Sequence, residues 1–215
     1  MEKNKTFDQI LRAAVIFIII LSMPVKAQSQ NALEVFPKNA LPVVNELIAY
    51  YDSIVRAANP GIKDIREAYL VYLDTVCPKI LHDGNFAHSG INPEARRKLF
   101  DRLDKKGLSE IFIVGDTLKY FDTKERRRVE RYFPYYVNLN MRGSYVRMLE
   151  KLSHNSSFMN DYYKQVHGYR NPTAGCYGMV LRDYHKMNFS DPAQRLVFIV
   201  TILNVNEKIE NRFRP

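Results

Sequence analysis

Tryptophan is absent from this chain and cysteine occurs only twice, at Cys77 and Cys176, so one disulfide is the most the sequence can form. Long apolar runs are missing as well. The most apolar stretch, Ile10 to Val25, falls short of the ~20 residues a membrane-spanning helix needs and contains Arg12 and Pro24. There is no Gly-rich phosphate loop, no nucleophile elbow and no pair of carboxylates at a special spacing. Fixed-period repeats and low-complexity tracts are also lacking, which excludes a solenoid. These absences weaken an enzymatic reading without removing it, because a site assembled from distant helices leaves no local signature.

What the amino terminus does contain is an address. Lys3, Lys5 and Arg12 precede the run Ala13 to Leu21, and Pro24 and the small-residue pattern Val25-Lys26-Ala27 follow it. A basic region, a short apolar region and a cleavage pattern in that order predict a secretory signal peptide over residues 1–27, with a retained anchor as the alternative. Residues 28–40 read as an exposed lead-in containing Pro37, and residues 41–215 as the folded domain. The expected location is secreted or periplasmic.

That location governs how the charge is read. The whole chain carries +9, and removing the signal segment with its four basic and two acidic residues leaves +7. In a cytosolic protein such an excess would suggest nucleic acid. Outside the cytoplasm nucleic acid is a poor expectation, and the available polyanions are acidic proteins, anionic lipid headgroups and polysaccharide. Membrane contact after signal cleavage would be peripheral at most.

The same location makes a Cys77–Cys176 disulfide the expected state, closing a loop of about 100 residues. Two buried thiols and a catalytic thiolate are the alternatives.

From Leu41 onward the apolar spacing is helical. Pro42 suits a first turn, and Val43, Val44, Leu47, Ile48, Tyr51, Ile54 and Val55 recur at steps of three and four. A second helix begins near Ile62 and should stop or kink at Cys77-Pro78. Asn92-Pro93 predicts a capped helix ending at Gly107, and Leu108 to Val114 is assigned as helix for want of a strand partner. Asp122 and Glu125 have the offset of a capping box, predicting a long helical stretch from Val129 to Leu152 interrupted at Pro134 and Gly143. Helices are further expected from Phe158, from Ala174, and from Ser190-Asp191-Pro192 onward, the last apolar nearly all round and therefore central. The fold class expected is all-α, a single globular domain of about seven or eight helices.

Two constellations invite chemistry. The run Lys124 to Arg131 continues through Tyr135, Arg142 and Arg147. Arginine forks suit phosphate, sulfate and carboxylate groups, so Arg127, Arg131, Arg142, Arg147 and Tyr135 form the candidate contact surface. On a helix, Glu125 would pair with Arg128 and Arg126 with Glu130, which is how an ordinary solvated face looks. The second constellation is His82, Asp83 and His88, whose spacing matches no zinc signature and sits in a turn-rich connection. No metal and no cofactor are expected. The reading is a binding or interaction protein with a basic contact surface. The alternative is an extracytoplasmic hydrolase using the His82–His88 loop or Cys176.

Overall fold

The computed structural model describes residues 32–122 and 126–204. The expected signal peptide and its cleavage pattern lie outside the described residues. In the described part of the lead-in, Ala32, Phe36 and Ala40 are buried in the core while Glu34, Lys38 and Asn39 are exposed, so the segment expected to be exposed is pinned by three side chains. Among the described residues no helix is long and apolar enough to cross a membrane.

The architecture is mostly helical with one small antiparallel sheet. Helix α1 (Leu41–Ala58) begins with proline in its first turn, as expected, and buries Val43, Val44, Leu47, Ile48, Tyr51 and Val55. Helix α2 (Ile65–Asp83) opens on Asp64, whose carboxylate accepts the Glu67 N–H at 2.9 Å. It does not stop at Cys77 but runs through Pro78 to a left-handed Gly84. The missing proline N–H costs one helical bond, and the burial of Val76, Cys77 and Ile80 on either side outweighs it.

Helix α3 (Pro93–Arg102) is capped by Asn92 as predicted, and its end falls at Leu103. Gly107 lies inside the one-turn α4 (Lys105–Leu108), where a Cβ would stand 2.7 Å from the Val43 side chain. Close approach to α1, not helix termination, is what this glycine serves.

The main correction concerns residues 108–139. Instead of helix, Phe112–Asp122 forms strand β1 and Arg127–Leu139 forms strand β2, joined as a hairpin. Each stretch supplies the partner that the other seemed to lack. The density of Val, Tyr and Phe suits a pleated ladder, and Pro134 would have been costly inside a helix. In the register Gly115 faces Tyr136 and Thr117 faces Tyr132, so β2 carries extra residues around Pro134 where the ladder is interrupted. A proline is tolerated at such an irregularity because no ladder bond is demanded of it.

Helix α5 (Ser144–Ser153) therefore starts afresh after Gly143, and packs on α6 (Ser157–Tyr169), which Ser156 caps. Helix α7 (Ala174–Asp183) is capped by Thr173 and packs on α2, α6 and α8. Helix α8 (Pro192–Leu203) opens on Asp191 and buries every residue from Leu196 to Leu203, which confirms its central place. Around it, Tyr69 stacks on Phe189 at 4.7 Å, and Tyr51 meets Phe198 edge-on at 5.6 Å. Fully burying an aromatic or aliphatic side chain is worth roughly 1.5–3 kcal/mol, so this cluster dominates the core. On its polar margin Asp52 accepts the Tyr69 hydroxyl at 2.8 Å and pairs with Arg195 at 3.2 Å.

Candidate functional site

Among the described residues, the hairpin is tied to the core at its root. Asn140 donates its backbone N–H to the Ile111 carbonyl at 2.8 Å and its side-chain amide to the Ser109 carbonyl at 2.6 Å. Phe112, Val137 and Leu139 are buried, tying the first rungs to the core. Beyond Gly115 the described side chains turn outward: Asp116, Thr117, Arg126, Arg127, Arg128 and Glu130 are exposed, and Tyr132 is 71% exposed. At a rise of ~3.3 Å per residue, the 13 residues of β2 span roughly 40 Å. The ribbon thus carries its distal charge far from its root.

This geometry separates the arginines that the sequence groups together. Arg127 lies at the distal end opposite Asp122, and Arg131 lies opposite Leu118. Tyr135 falls in the irregular stretch of β2. The side chains of Arg131 and Tyr135 lie outside the described residues. Arg142 is exposed at the root, where its backbone N–H donates to Asn140 Oδ1 at 3.0 Å. Arg147 is exposed on α5 and donates to the Ser144 hydroxyl at 2.7 Å. The candidate residues therefore divide into a distal group and a root group.

A ribbon also undoes the pairing that a helix would impose. Glu125 lies outside the described residues, and Glu130 stands opposite Lys119 in the ladder, not one helical turn from Arg126. Arg126 itself adopts a left-handed φ of 48° where the chain enters β2. Arg126 and Arg128 thus join Arg127 at the exposed end. Helical spacing assigns Arg126 and Arg128 to internal pairs with Glu130 and Glu125, and the signal in the sequence that marks them as a group is the uninterrupted triplet itself.

At the end of α2, His88 Nε2 lies 2.7 Å from Asp83 Oδ2, and Asp83 Oδ1 accepts the Asn85 N–H at 2.8 Å. The bond to His88 and that from Asn85 hold the Asp83 carboxyl below its usual range. Among the described residues no group of three His, Cys, Asp or Glu side chains could hold a metal.

The expected disulfide is not formed. Cys77 and Cys176 are both buried, unbonded thiols. Although α2 and α7 are neighbours, Cys77 belongs to the part of the core around Tyr51 and Tyr72. Cys176 sits by Tyr145 and Tyr162, and its Sγ meets Gln165 at 3.6 Å and Thr173 at 3.7 Å. Burial pushes the Cys77 thiol up to about 12 and raises that of Cys176. Both shifts oppose thiolate formation, the state a nucleophilic cysteine requires. His185 packs instead against the ring of Tyr184 at 6.0 Å.

No family model, no curated protein and no solved structure matches this chain.

Proposed function

We propose that the chain is a secreted or periplasmic interaction protein that presents the distal end of its hairpin to an acidic protein partner. The observation that carries this reading is a ribbon rooted in the core whose far end exposes Arg126, Arg127 and Arg128, with the exposed Tyr132 four residues along β2 from Arg128. A two-stranded ribbon is marginal alone in water, and among the described residues of its distal part Asp116, Thr117, Arg126, Arg127, Arg128, Glu130 and Tyr132 are all exposed. An arm of that kind is better accounted for by contact than by folding.

Several features favour protein over the other polyanions. Arginine recognises carboxylates with paired N–H donors, and tyrosine is a frequent contact residue. The sheet has two strands only, so each has an outer edge to which an extended segment can add backbone hydrogen bonds. Lipid headgroups and polysaccharide have no such ladder to offer. The basic and apolar order of the amino terminus supports the location, and sequencing the mature amino terminus from an envelope fraction tests it.

The test of the contact uses a shortened hairpin in which residues 116–135 are replaced by Asn-Gly, joining the paired Gly115 and Tyr136 by a two-residue turn. Because the removed segment lies beyond the buried rungs, the variant should melt like the parent. A glutamate-rich peptide should bind the parent, dissociate as salt rises and fail to bind the variant. Binding of anionic vesicles or heparin in preference to the peptide, or equal peptide binding by both chains, would overturn the reading.

A further inference from the structure

The end of α2 and the flank of α7 line a cavity of about 440 Å³. This lies within the ~300–1,000 Å³ typical of small-molecule sites. Its body is apolar: Ile80 from α2, Phe86 from the short 3-10 turn Phe86–Ser89, and Tyr177 and Leu181 from α7. Phe86 and Tyr177 stand edge to face with ring centroids 5.8 Å apart, giving the cavity an aromatic corner. Gly178 removes a side chain from the α7 wall, and Leu81 leaves 45% of its surface exposed at the rim.

The ionisable side chains of the lining are Asp83 and His82. Asp83 contributes a carboxylate whose two oxygens each already accept one bond, from His88 and Asn85, and each keeps a lone pair for another donor. The same corner is the carboxyl end of α2, closed by the left-handed Gly84, where the last carbonyls present the negative end of the helix dipole. Opposing charges are His82, which also lines the cavity, and Arg182, whose guanidinium lies over Gly178 at 3.3 Å from the position of a Cβ. Arg182 and Asp83 are both exposed, so solvent screens each of them, and of the two only Asp83 lines the cavity.

We infer that this cavity is a binding site for a small organic cation, an apolar or aromatic amine whose body fills the space against Phe86, Tyr177 and Leu181 and whose ammonium lies at Asp83. Aromatic faces attract ammonium groups, and a carboxylate at the end of a helix completes the recognition.

The test compares benzylamine, benzyl alcohol and benzoate, three probes of similar size and different charge, by amide chemical shifts in the full chain. The expected result is that benzylamine shifts Gly84 and Gly178 and binds about tenfold more tightly than either of the other probes. Asp83→Asn should reduce benzylamine binding to the level of benzyl alcohol and leave benzyl alcohol unchanged, showing that the fold and the cavity survive. Gly178→Leu, which occupies the space, should abolish binding of all three probes with the spectrum elsewhere retained. Benzoate binding as tightly as benzylamine, equal benzylamine binding by Asp83→Asn, or no shift at Gly84 and Gly178 with any probe would overturn the inference.

Discussion

The carboxylate of Glu110 accepts both the backbone N–H of Ser144 at 3.0 Å and its hydroxyl at 2.6 Å. The two residues flank the hairpin, one just before β1 and the other at the start of α5. A single acid therefore caps a helix amino terminus that its own N-cap residue, Gly143, leaves without a side-chain bond. Glu110→Ala should lower the unfolding free energy by about 1–2 kcal/mol, measured by urea denaturation. Glu110→Gln, which keeps one acceptor, should recover part of the loss.

Gly143 is required for a different reason. A Cβ there would stand 2.2 Å from the carbonyl oxygen of Glu110, a backbone atom that cannot turn aside. Its φ of −79° is open to any residue, so the constraint is space and not conformation. Gly143→Ala should destabilise by about 3 kcal/mol or more. Gly115→Ala, where nothing lies within 4 Å, should be neutral or mildly stabilising. Thermal melts of the two variants give the comparison directly.

Asp52 supplies a prediction in pH. Burial raises its carboxyl above the ordinary value, against the lowering influence of Arg195 and of the Tyr69 hydroxyl. The native state then holds this proton more tightly than the unfolded chain does. The resulting stabilisation is complete below the ordinary aspartate value of ~3.9 and is lost as pH rises through the native one. Asp52→Asn abolishes that titration. The stability of the parent minus that of the variant should accordingly be highest at the acid end and fall to a plateau with rising pH. Urea titrations at a series of pH values measure it, and a difference that grew with pH would show that attraction to Arg195 outweighs burial.

The cysteines should be silent in the native protein. With Cys77 raised to about 12 and Cys176 raised by burial, a thiol reagent at neutral pH should modify neither until the chain unfolds. Denatured without reductant, the protein should then yield both thiols. A count of none would restore the disulfide.

Much of the helical frame was legible because caps and prolines are local signals. Asn92 before Pro93 and Asp191 before Pro192 each accept the N–H expected of them. The buried α8 could also be read from its unbroken apolar run. The hairpin could not be reached the same way. The residues from Val129 to Met141 are so rich in apolar and aromatic side chains that three- and four-residue steps can be found in them alongside the alternation of a strand. Phe112 and Leu139 reveal themselves as strand residues only as a pair, since each needs the other's backbone. The regrouping of the arginines follows from that one pairing. The cavity at the end of α2 was invisible for a related reason: its walls come from Ile80 and Tyr177, which only the packing of α2 on α7 makes neighbours.

The irregular stretch around Pro134 also sets an arithmetic on the ribbon. From Gly115 to Thr117 β1 advances two positions while β2 advances four, from Tyr136 to Tyr132, so both strands cross the interruption in even steps. Alternation along each strand therefore stays in phase from root to tip. Removing one residue from 133–135 would exchange the two faces of everything beyond it, whereas removing two would leave them in place. Length variation in this arm should be tolerated in pairs, and a single-residue deletion should act on the distal arginines as a change of side, with no arginine altered.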